Sequence, residues 1–231
     1  MKLAVIPARG GSKRIALKNI RPFCGQPMLA WSIQAAQASG CFDEVMVSTD
    51  DPCIAELARE LGACVPFMRP AELADDYTGT TAVVANAVRW YHQHRALPAQ
   101  VCCIYATAPF LQAEDLRRGL LLLEEHSADY AFSVTSFAFP IQRGLRLDNT
   151  GRVAMFQPEY RITRSQDLED AYHDAGQFYW GRTQAWLEGR PVFEGQSVAV
   201  RLPRHRVQDI DTEEDWQRAE WLFRAMQAGA C

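Results

Sequence analysis

Short apolar runs alternate with amphipathic segments along most of the chain. Runs of strand length lie at 3–7, 44–49, 64–67, 101–106 and 130–137. Segments with helical spacing of apolar residues lie between them, at 28–39, 52–61, 80–94 and 114–125. This order of strand and helix predicts an α/β domain with a mostly parallel sheet and helices on both of its faces.

Individual residues indicate where some of the helices begin. Asp51 is followed by Pro52, which is typical of an N-cap with proline at the first helical position. A last helix is predicted over 212–226, with Asp211 or Thr212 as its cap. Trp216 and Trp221 are expected to pack inward from that helix.

The alternation of elements is interrupted near residue 139. Residues 139–175 contain two prolines and several charges but no regular period, and a strand resumes at 177–181. Because such a segment is too short to bury a large core of its own, we interpret it as an insertion within a single domain, 1–231. Phe178, Tyr179 and Trp180 in the resumed strand are candidates for a platform on which a ligand stacks, although core packing of at least two of them is the simpler interpretation.

The composition narrows the classes of function. Of 231 residues, 48% are apolar and 23% charged, with a net charge of −4, so the chain lacks the basic balance of a general nucleic-acid-binding protein. Seven cysteines without a CxxC pair favour reduced thiols in the cytoplasm over disulfides or zinc. No apolar stretch is long enough to span a bilayer, so we expect no membrane association.

A glycine-containing basic segment follows the first predicted strand. The sequence ARGGSKR (8–14) places two glycines among cations, and Lys18 follows closely. Gly10 and Gly11 permit a close approach of the backbone to a ligand and a positive φ, and successive N–H groups can then hold an anion. The P-loop and GxGxxG patterns are both absent. A solvated connection is the alternative, but ligands of open α/β sheets bind where the strands end, which favours a phosphate site.

Several motifs resemble those of the cytidylyltransferases that activate sialic-acid-like sugars. In chain order they are PARGGSKRIALKN (7–19), FDEVMVSTDD (42–51), MRPAELADD (68–76) and VQDIDTEEDW (207–216). More narrowly, CCIYATAPFLQAEDL (102–116) and TRSQDLEDAYHDAGQFYWG (163–181) resemble the subfamily that acts on pseudaminic acid.

The resemblance implies a fold and a reaction. The fold is the Rossmann-like three-layer fold of nucleotide-diphospho-sugar transferases, with 139–175 as an inserted dimerisation arm. The reaction joins CTP to pseudaminic acid with release of pyrophosphate, and it uses Mg²⁺ or Mn²⁺ in a homodimer. The same reaction on legionaminic or sialic acid is the nearest alternative, and a non-catalytic nucleotide-sugar binding protein is a more distant one.

The resemblance also assigns residues that face the nucleotide. They are Ala8, Arg9, Gly10, Gly11, Ser12, Lys13, Lys18, Asn19, Arg69 and Thr80. Arg9 and Lys18 are expected to stabilise the departing pyrophosphate. Arg69 is expected near the cytosine.

Two aspartates near the end of the chain match the family's metal-holding pair. Asp209 and Asp211 lie two residues apart, so in an extended segment both side chains point to the same side. Capping of the last helix is the alternative for Asp211. Asp209 is also the expected acceptor of the sugar's proton, directly or through metal-bound water.

The sugar-binding assignments are spread over the second half of the chain. They are Tyr105, Arg164, Gln166, Tyr172, His173 and Gln177. Tyr105 stands where sialic acid enzymes usually have a glutamine, which favours a sugar with other substituents. Arg164 is preferred over Arg143 and Arg161 as the partner of the sugar's carboxylate. A structural role is the alternative for His173.

Overall fold

The computed structural model describes residues 1–12, 14–75 and 78–229. The strands are β1 (Lys2–Pro7), β2 (Pro22–Phe23), β3 (Gln26–Pro27), β4 (Glu44–Ser48), β5 (Gln100–Ile104), β6 (Tyr130–Ser136), β7 (Leu145–Leu147), β8 (Val153–Met155), β9 (Tyr172–Arg182) and β10 (Ser197–Arg201). The α-helices are α1 (Met28–Ser39), α2 (Pro52–Glu60), α3 (Thr80–His94), α4 (Ala113–Glu125), α5 (Thr183–Glu188) and α6 (Glu213–Ala228).

The central sheet has the strand order β10-β6-β9-β5-β1-β4. All neighbouring strands are parallel except β9, which is antiparallel to both β5 and β6. The predicted mostly parallel sheet is therefore confirmed. Two short antiparallel pairs, β2 with β3 and β7 with β8, lie outside it.

Both faces of the sheet are buried, which explains the continuous apolar run of β1. Leu3 and Val5 point into one core cluster with α3 and α5. Ala4 and Ile6 point into the other, with residues of α1, α2 and α4. The result is the predicted three-layer α/β arrangement.

A third core cluster attaches α6 to the N-terminal segment. Ile210, Trp216 and Phe223 pack there against Ile15 and Phe23. This contact matters for function because it brings the two ends of the chain together beside the carboxyl end of β1.

Trp221 does not pack inward as predicted. Its side chain is 65% exposed, whereas Trp216 is 2% exposed. Five residues along an α-helix correspond to a rotation of about 140°, so the two rings cannot share one face. The N-cap predicted at Asp51 is confirmed, since its Oδ1 accepts hydrogen bonds from the N–H groups of Cys53 and Ile54.

Two strand predictions differ from the structure. The run at 64–67 forms only a single bridge, between Cys64 and Met46. The strand predicted at 177–181 extends over the whole of β9, because residues 172–174 pair with β6 across a register shift. Residues 172–175, assigned to the insertion from sequence, therefore belong to the sheet.

The segment between β6 and β9 carries the β7–β8 hairpin and exposes many large apolar side chains. They are Phe139, Ile141, Leu145, Leu147, Val153, Phe156 and Ile162. None of the helices in the described part of the chain has the length and apolar character needed to cross a membrane.

Candidate active site

A cleft of about 590 Å³ opens beyond the carboxyl ends of β1, β4 and β5. The basic turn after β1 and Asp211, which precedes α6, both line it, whereas Asp209 is not among its lining residues. The polar residues that line the cleft are Arg9, Ser12, Arg14, Lys18, Asn19, Arg69, Asp75, Thr78, Thr80, Tyr105, Thr107 and Asp211.

Hydrogen bonds hold the turn after β1 in shape. The N–H of Ala8 donates to the carbonyl of Ser48 at 2.9 Å, which continues the β1–β4 pairing by one residue. Asn19 donates from Nδ2 to the carbonyl of Arg9 at 2.9 Å, and Arg9 donates from Nη1 to the carbonyl of Asp75, also at 2.9 Å. Arg9 therefore connects two walls of the cleft. Lys13 lies outside the described residues.

The two glycines of the turn differ in the space around them. The N–H of Gly10 donates to Asp50 Oδ1 at 3.0 Å, and a Cβ at Gly10 would lie 2.6 Å from Asp51 Oδ2. A Cβ at Gly11 would meet nothing within 4 Å. Neither glycine has a positive φ, contrary to the expectation from sequence. Glycine is required at position 10 by the close approach of Asp51.

We expect Gly10→Ala to lower the free energy of unfolding by about 1–3 kcal/mol, because the added methyl group displaces the aspartate that caps α2. Thermal and urea unfolding measure this. Gly11→Ala is the matched control and should change stability by less than about 1 kcal/mol. Equal destabilisation by the two variants would contradict the packing argument.

Two cations face Asp211 across the cleft. Lys18 Nζ lies 3.4 Å from Oδ1, and Arg14 Nη1 lies 2.8 Å from Oδ2. The Lys18 side chain is only 17% exposed, whereas that of Arg14 is 69% exposed. Lys18 is therefore the better fixed of the two cations, and Arg14 can move away from Asp211 without leaving a buried charge behind.

The segment Asp209–Asp211 carries two acids at the surface, with Asp209 exposed and Asp211 partly exposed. Ile210 is 1% exposed, and it packs into the third core cluster between the two acids. Thr212 is the N-cap of α6 and accepts a hydrogen bond from the N–H of Asp215, so Asp211 does not serve as the cap. Burial and, next, the charge of Asp211 raise the pKa of Asp209, while Lys18 opposes this shift.

The raised pKa of Asp209 gives a stability prediction. Between the pKa of a free aspartate and the raised value, the folded protein binds the proton more tightly than the unfolded chain does. Stability therefore falls as pH rises through this interval, and the cost remains at neutral pH. We expect Asp209→Asn to have a higher melting temperature than the wild type at pH 7.5, and the difference should shrink towards pH 4.

Asp170→Asn, at an exposed aspartate that does not line the cleft, is the control for this comparison and should leave the melting temperature unchanged at both pH values. A melting temperature of Asp209→Asn below that of the wild type at pH 7.5 would mean that Asp209 stabilises the fold.

Arg69 and Thr80 also line the cleft. The guanidinium of Arg69 is buried and donates to both the hydroxyl and the carbonyl oxygen of Ser48, at the end of β4. Burial lowers the pKa of Arg69, and Asp50 opposes this. Thr80 begins α3, and its hydroxyl lies 3.5 Å from that of Tyr105.

Two smaller cavities continue from the cleft. The first, about 260 Å³, shares Thr80 and Tyr105 with the cleft. The second, about 330 Å³, shares Asp174 and Phe193 with the first. The three spaces are therefore neighbours, arranged in this order from the basic turn to the region between β6, β9 and β10.

The residues predicted to bind sugar fall into three groups. Tyr105 lies between the cleft and the first smaller cavity, and Tyr172 and His173 line the second. Arg164 and Gln166 are exposed on the inserted segment and line none of these spaces; Arg164 pairs with Asp167 at 2.7 Å.

The third group is Gln177 alone, which is 3% exposed and donates from Nε2 to the carbonyl of Arg206. The guanidinium of Arg206 forms two hydrogen bonds to Asp115, at 2.7 and 2.9 Å. This buried network anchors Arg206, three residues before Asp209. Gln177 therefore helps to position the segment that carries the two acids, and it does not line the cleft.

Several lining residues were absent from the sequence assignments. Arg14 was noted only as part of a basic run, although its contact with Asp211 places it in the cleft. Asp75 and Thr78 belong to the wall opposite the basic turn, and Asp174 to the smaller cavities. The motif MRPAELADD was the available signal for Asp75.

A three-layer α/β fold with a basic cleft at the carboxyl ends of its strands, and a carboxylate at the edge of that cleft, defines the class of nucleotidyltransferases. The chain is similar in structure to a CMP:2-keto-3-deoxy-manno-octonic acid synthetase complexed with CTP, with a TM-score of 0.69 over 97% of this chain and 99% of the other. Sequence identity is 16%, so this likeness supports the fold alone.

The family follows from sequence comparison. The cytidylyltransferase family model matches residues 3–214, and the chain belongs to this family. It is 44% identical, over 99% of its length and 98% of the other, to a pseudaminic acid cytidylyltransferase of Campylobacter jejuni. It is 30% identical, over 97% of each chain, to a CMP-N,N'-diacetyllegionaminic acid synthase of Legionella pneumophila. The resemblance noted from sequence motifs is confirmed.

Proposed function

We propose that this enzyme joins CTP to pseudaminic acid and releases CMP-pseudaminic acid and pyrophosphate. The observation that carries the proposal is the joining of the basic turn and Asp211 in one cleft, in a chain 44% identical over nearly its full length to a pseudaminic acid cytidylyltransferase. The legionaminic acid relative, at 30%, supports the alternative sugar less strongly.

In the proposed reaction the anomeric hydroxyl of the sugar attacks the α-phosphorus of CTP. A bond forms between the sugar oxygen and phosphorus, and the bond to the oxygen that bridges the α- and β-phosphates breaks. The hydroxyl proton leaves to a base, and negative charge increases on the departing pyrophosphate. Catalysis therefore depends mainly on positioning and on stabilisation of this charge.

The residues after β1 are proposed to bind the triphosphate. Lys18 and Arg9 contribute cations, while Ser12 and the backbone N–H of Gly11 contribute donors along the same turn. The N–H of Gly10, which was expected to face the nucleotide, instead donates to Asp50 Oδ1. The guanidinium of Arg9 can stabilise more than one phosphoryl oxygen because its N–H donors lie in a fixed plane. Ala8, Asn19, Arg69 and Thr80 complete the proposed nucleotide site.

Asp209 and Asp211 would hold Mg²⁺ or Mn²⁺. No group of three or more metal-ligating side chains occurs in the described part of the chain, but Mg²⁺ is usually held by one or two carboxylates together with substrate phosphates. The pair fits that pattern, because Asp211 lines the phosphate cleft and its charge helps to raise the pKa of Asp209. When bound, the metal would neutralise charge on the phosphates.

Asp209 is the proposed acceptor of the sugar's proton. Its raised pKa brings it closer to the pH at which it works, which favours a general base. The charge of Lys18 opposes this rise in the pKa of Asp209.

The inserted segment is proposed to form a homodimer. Its exposed apolar side chains include Phe139, Leu147 and Ile162, which are 82%, 71% and 87% exposed. Apolar side chains in such number on one segment are typical of a protein interface. Arg164 and Gln166 line none of the cavities described above. In a dimer they would be available to the partner's sugar site.

The reaction is proposed to take place in the cytoplasm, where CTP is made. The six cysteines in the described residues carry free thiols, which agrees with a reducing compartment.

The test measures pyrophosphate release from CTP with pseudaminic, legionaminic and N-acetylneuraminic acid in parallel. We expect the highest kcat/KM with pseudaminic acid. Highest activity on either other acid would replace the proposed sugar but keep the reaction. CTP binding without turnover on any of the three would instead support a non-catalytic nucleotide-sugar binding protein.

A further inference from the structure

Four side chains connect the cleft with the smaller cavities. The hydroxyl of Thr80 meets that of Tyr105 at 3.5 Å, and the ring of Tyr105 lies 5.3 Å from the ring of Tyr179. The hydroxyl of Tyr179 donates a hydrogen bond to Asp174 Oδ2. Asp174 lines both smaller cavities, so its carboxylate stands at the far end of the path that begins at the basic turn.

The backbone fixes the position of Asp174. The pairing of β6 with β9 changes register between Phe132 and Val134, and Asp174 lies directly beyond this irregularity. Its Oδ1 accepts a hydrogen bond from the N–H of Gly176 at 2.9 Å, and Gly176 has a φ of 61°. Each carboxylate oxygen has two lone pairs, so one protein partner on each oxygen leaves acceptor capacity for a ligand.

Tyr179 can donate its hydroxyl proton in a hydrogen bond to the Asp174 carboxylate without becoming ionised itself. Burial, followed by the neighbouring Tyr105 and Asp174, raises the pKa of Tyr179 far above its ordinary value. Burial also raises the pKa of Tyr105. Both phenols therefore stay neutral at physiological pH, and Tyr179 remains a donor to Asp174.

The two ends of the path have opposite charge. The cleft is lined by Arg9, Arg14, Lys18 and Arg69. The described residues that line the smaller cavities include the carboxylates Asp174 and Glu194 but no arginine or lysine. Arg201 is the neighbouring cation, and it stacks on the ring of Tyr172 at 4.8 Å. Apolar side chains form much of the remaining walls: Phe132, Val134, Val192, Phe193 and Val198.

This arrangement fits a sugar acid in one orientation. Its carboxylate adjoins the anomeric carbon and is attracted to the cationic cleft, where the α-phosphate must lie. A carboxylate facing Asp174 would meet a like charge, which is unfavourable. The far end of the sugar must therefore offer N–H or O–H donors to Asp174 and small apolar groups to the walls. Acylamino substituents have both features.

We propose that Asp174 is a specificity-determining residue, whose carboxylate accepts hydrogen bonds from the acylamino groups at the far end of the sugar and directs the sugar's own carboxylate towards the basic cleft. This inference rests on the proposed function, and it identifies the acylamino groups as the part of the substrate that the enzyme recognises.

The test is Asp174→Asn, which keeps the shape of the side chain but removes its charge. We expect KM for pseudaminic acid to rise by about 10- to 100-fold, as for loss of a hydrogen bond to a charged group, while KM for CTP changes less than about twofold. Preference for pseudaminic acid over an analogue with hydroxyl groups in place of its acylamino groups should shrink in the variant.

Tyr179→Phe distinguishes direct recognition of the sugar by Asp174 from an indirect effect in which Asp174 only positions Tyr179. It removes the donor to Asp174 but keeps the carboxylate, so we expect KM for the sugar to rise much less than in Asp174→Asn. An equal rise in both variants would mean that Asp174 acts only by holding Tyr179, and would overturn the inference. Glu125→Gln, at an exposed carboxylate on α4, is the matched control for charge and should match the wild type.

An unchanged sugar KM in an active Asp174→Asn enzyme would also overturn the inference, while the proposed function would stand. Failure of the wild type to form a CMP-sugar from any of the three acids would overturn the proposed function itself. Melting temperatures of the variants are compared with the wild type, and CTP binding to Asp174→Asn confirms that the cleft is intact.

Discussion

Lys18→Ala is expected to lower kcat for pyrophosphate release by about 10²- to 10³-fold, the range found when one donor to a developing negative charge is removed. Lys18 is held inside the cleft with its ammonium group 3.4 Å from Asp211. Its removal would take a well-fixed cation from the proposed site of the departing pyrophosphate, and Arg14 is too exposed to replace it. Steady-state kinetics at saturating CTP and sugar measure the loss.

The same variant should remain folded, because a single ion pair at a partly exposed site contributes about 0–1 kcal/mol to stability. Lys18→Arg should recover part of the activity, since it restores a cation with different geometry. Arg118→Ala, at an exposed position of α4, is the control for loss of positive charge. A rate within about threefold of the wild type for Lys18→Ala would exclude the assigned role.

Asp211→Ala is expected to raise the Mg²⁺ concentration needed for half-maximal activity by at least about 10- to 100-fold, since loss of even an outer-shell partner of a metal ligand costs that much. Removal of Asp211 also breaks its ion pairs with Lys18 and Arg14, so both cations become available to the triphosphate. The attraction of the cleft for the triphosphate alone should therefore not decrease, and KM for CTP should not rise at saturating metal.

A measurement that does not depend on turnover is titration of Mn²⁺ into the enzyme with CTP, followed by electron paramagnetic resonance. Asp211→Ala should bind Mn²⁺ more weakly than the wild type. Glu214→Gln, an exposed carboxylate in the first turn of α6, is the nearby control and should bind as the wild type does. Unchanged Mn²⁺ affinity in Asp211→Ala would remove Asp211 from the metal site.

Elements with both faces buried were the most predictable part of the fold. The run at β1 is apolar at every position that the helices cover, so its boundaries follow from the sequence directly. β10 and α5 were not predicted. β10 is an edge strand with exposed Ala199 and Arg201, and α5 has only six residues, too few to establish a helical period.

The residues of the candidate site likewise differ in how far the sequence could indicate them. The basic turn and Asp209–Asp211 are each continuous in sequence, so both could be assigned from motifs that resemble those of the family. Spacing alone left a solvated connection and helix capping as alternatives. Asp174 has no such signal, because its proposed role depends on Tyr179 and on cavities built from several separate segments. The network behind Gln177 likewise depends on a contact with Arg206, which only the tertiary structure reveals.

The antiparallel strand β9 has a consequence for how the chain reaches its native state. β9 lies between β5 and β6, although it follows both in sequence. Until residues 172–182 leave the ribosome, the facing edges of β5 and β6 have no partner and can pair with other chains. Synthesis of this protein therefore includes an interval of vulnerability to aggregation, which ends only when three quarters of the chain has been made.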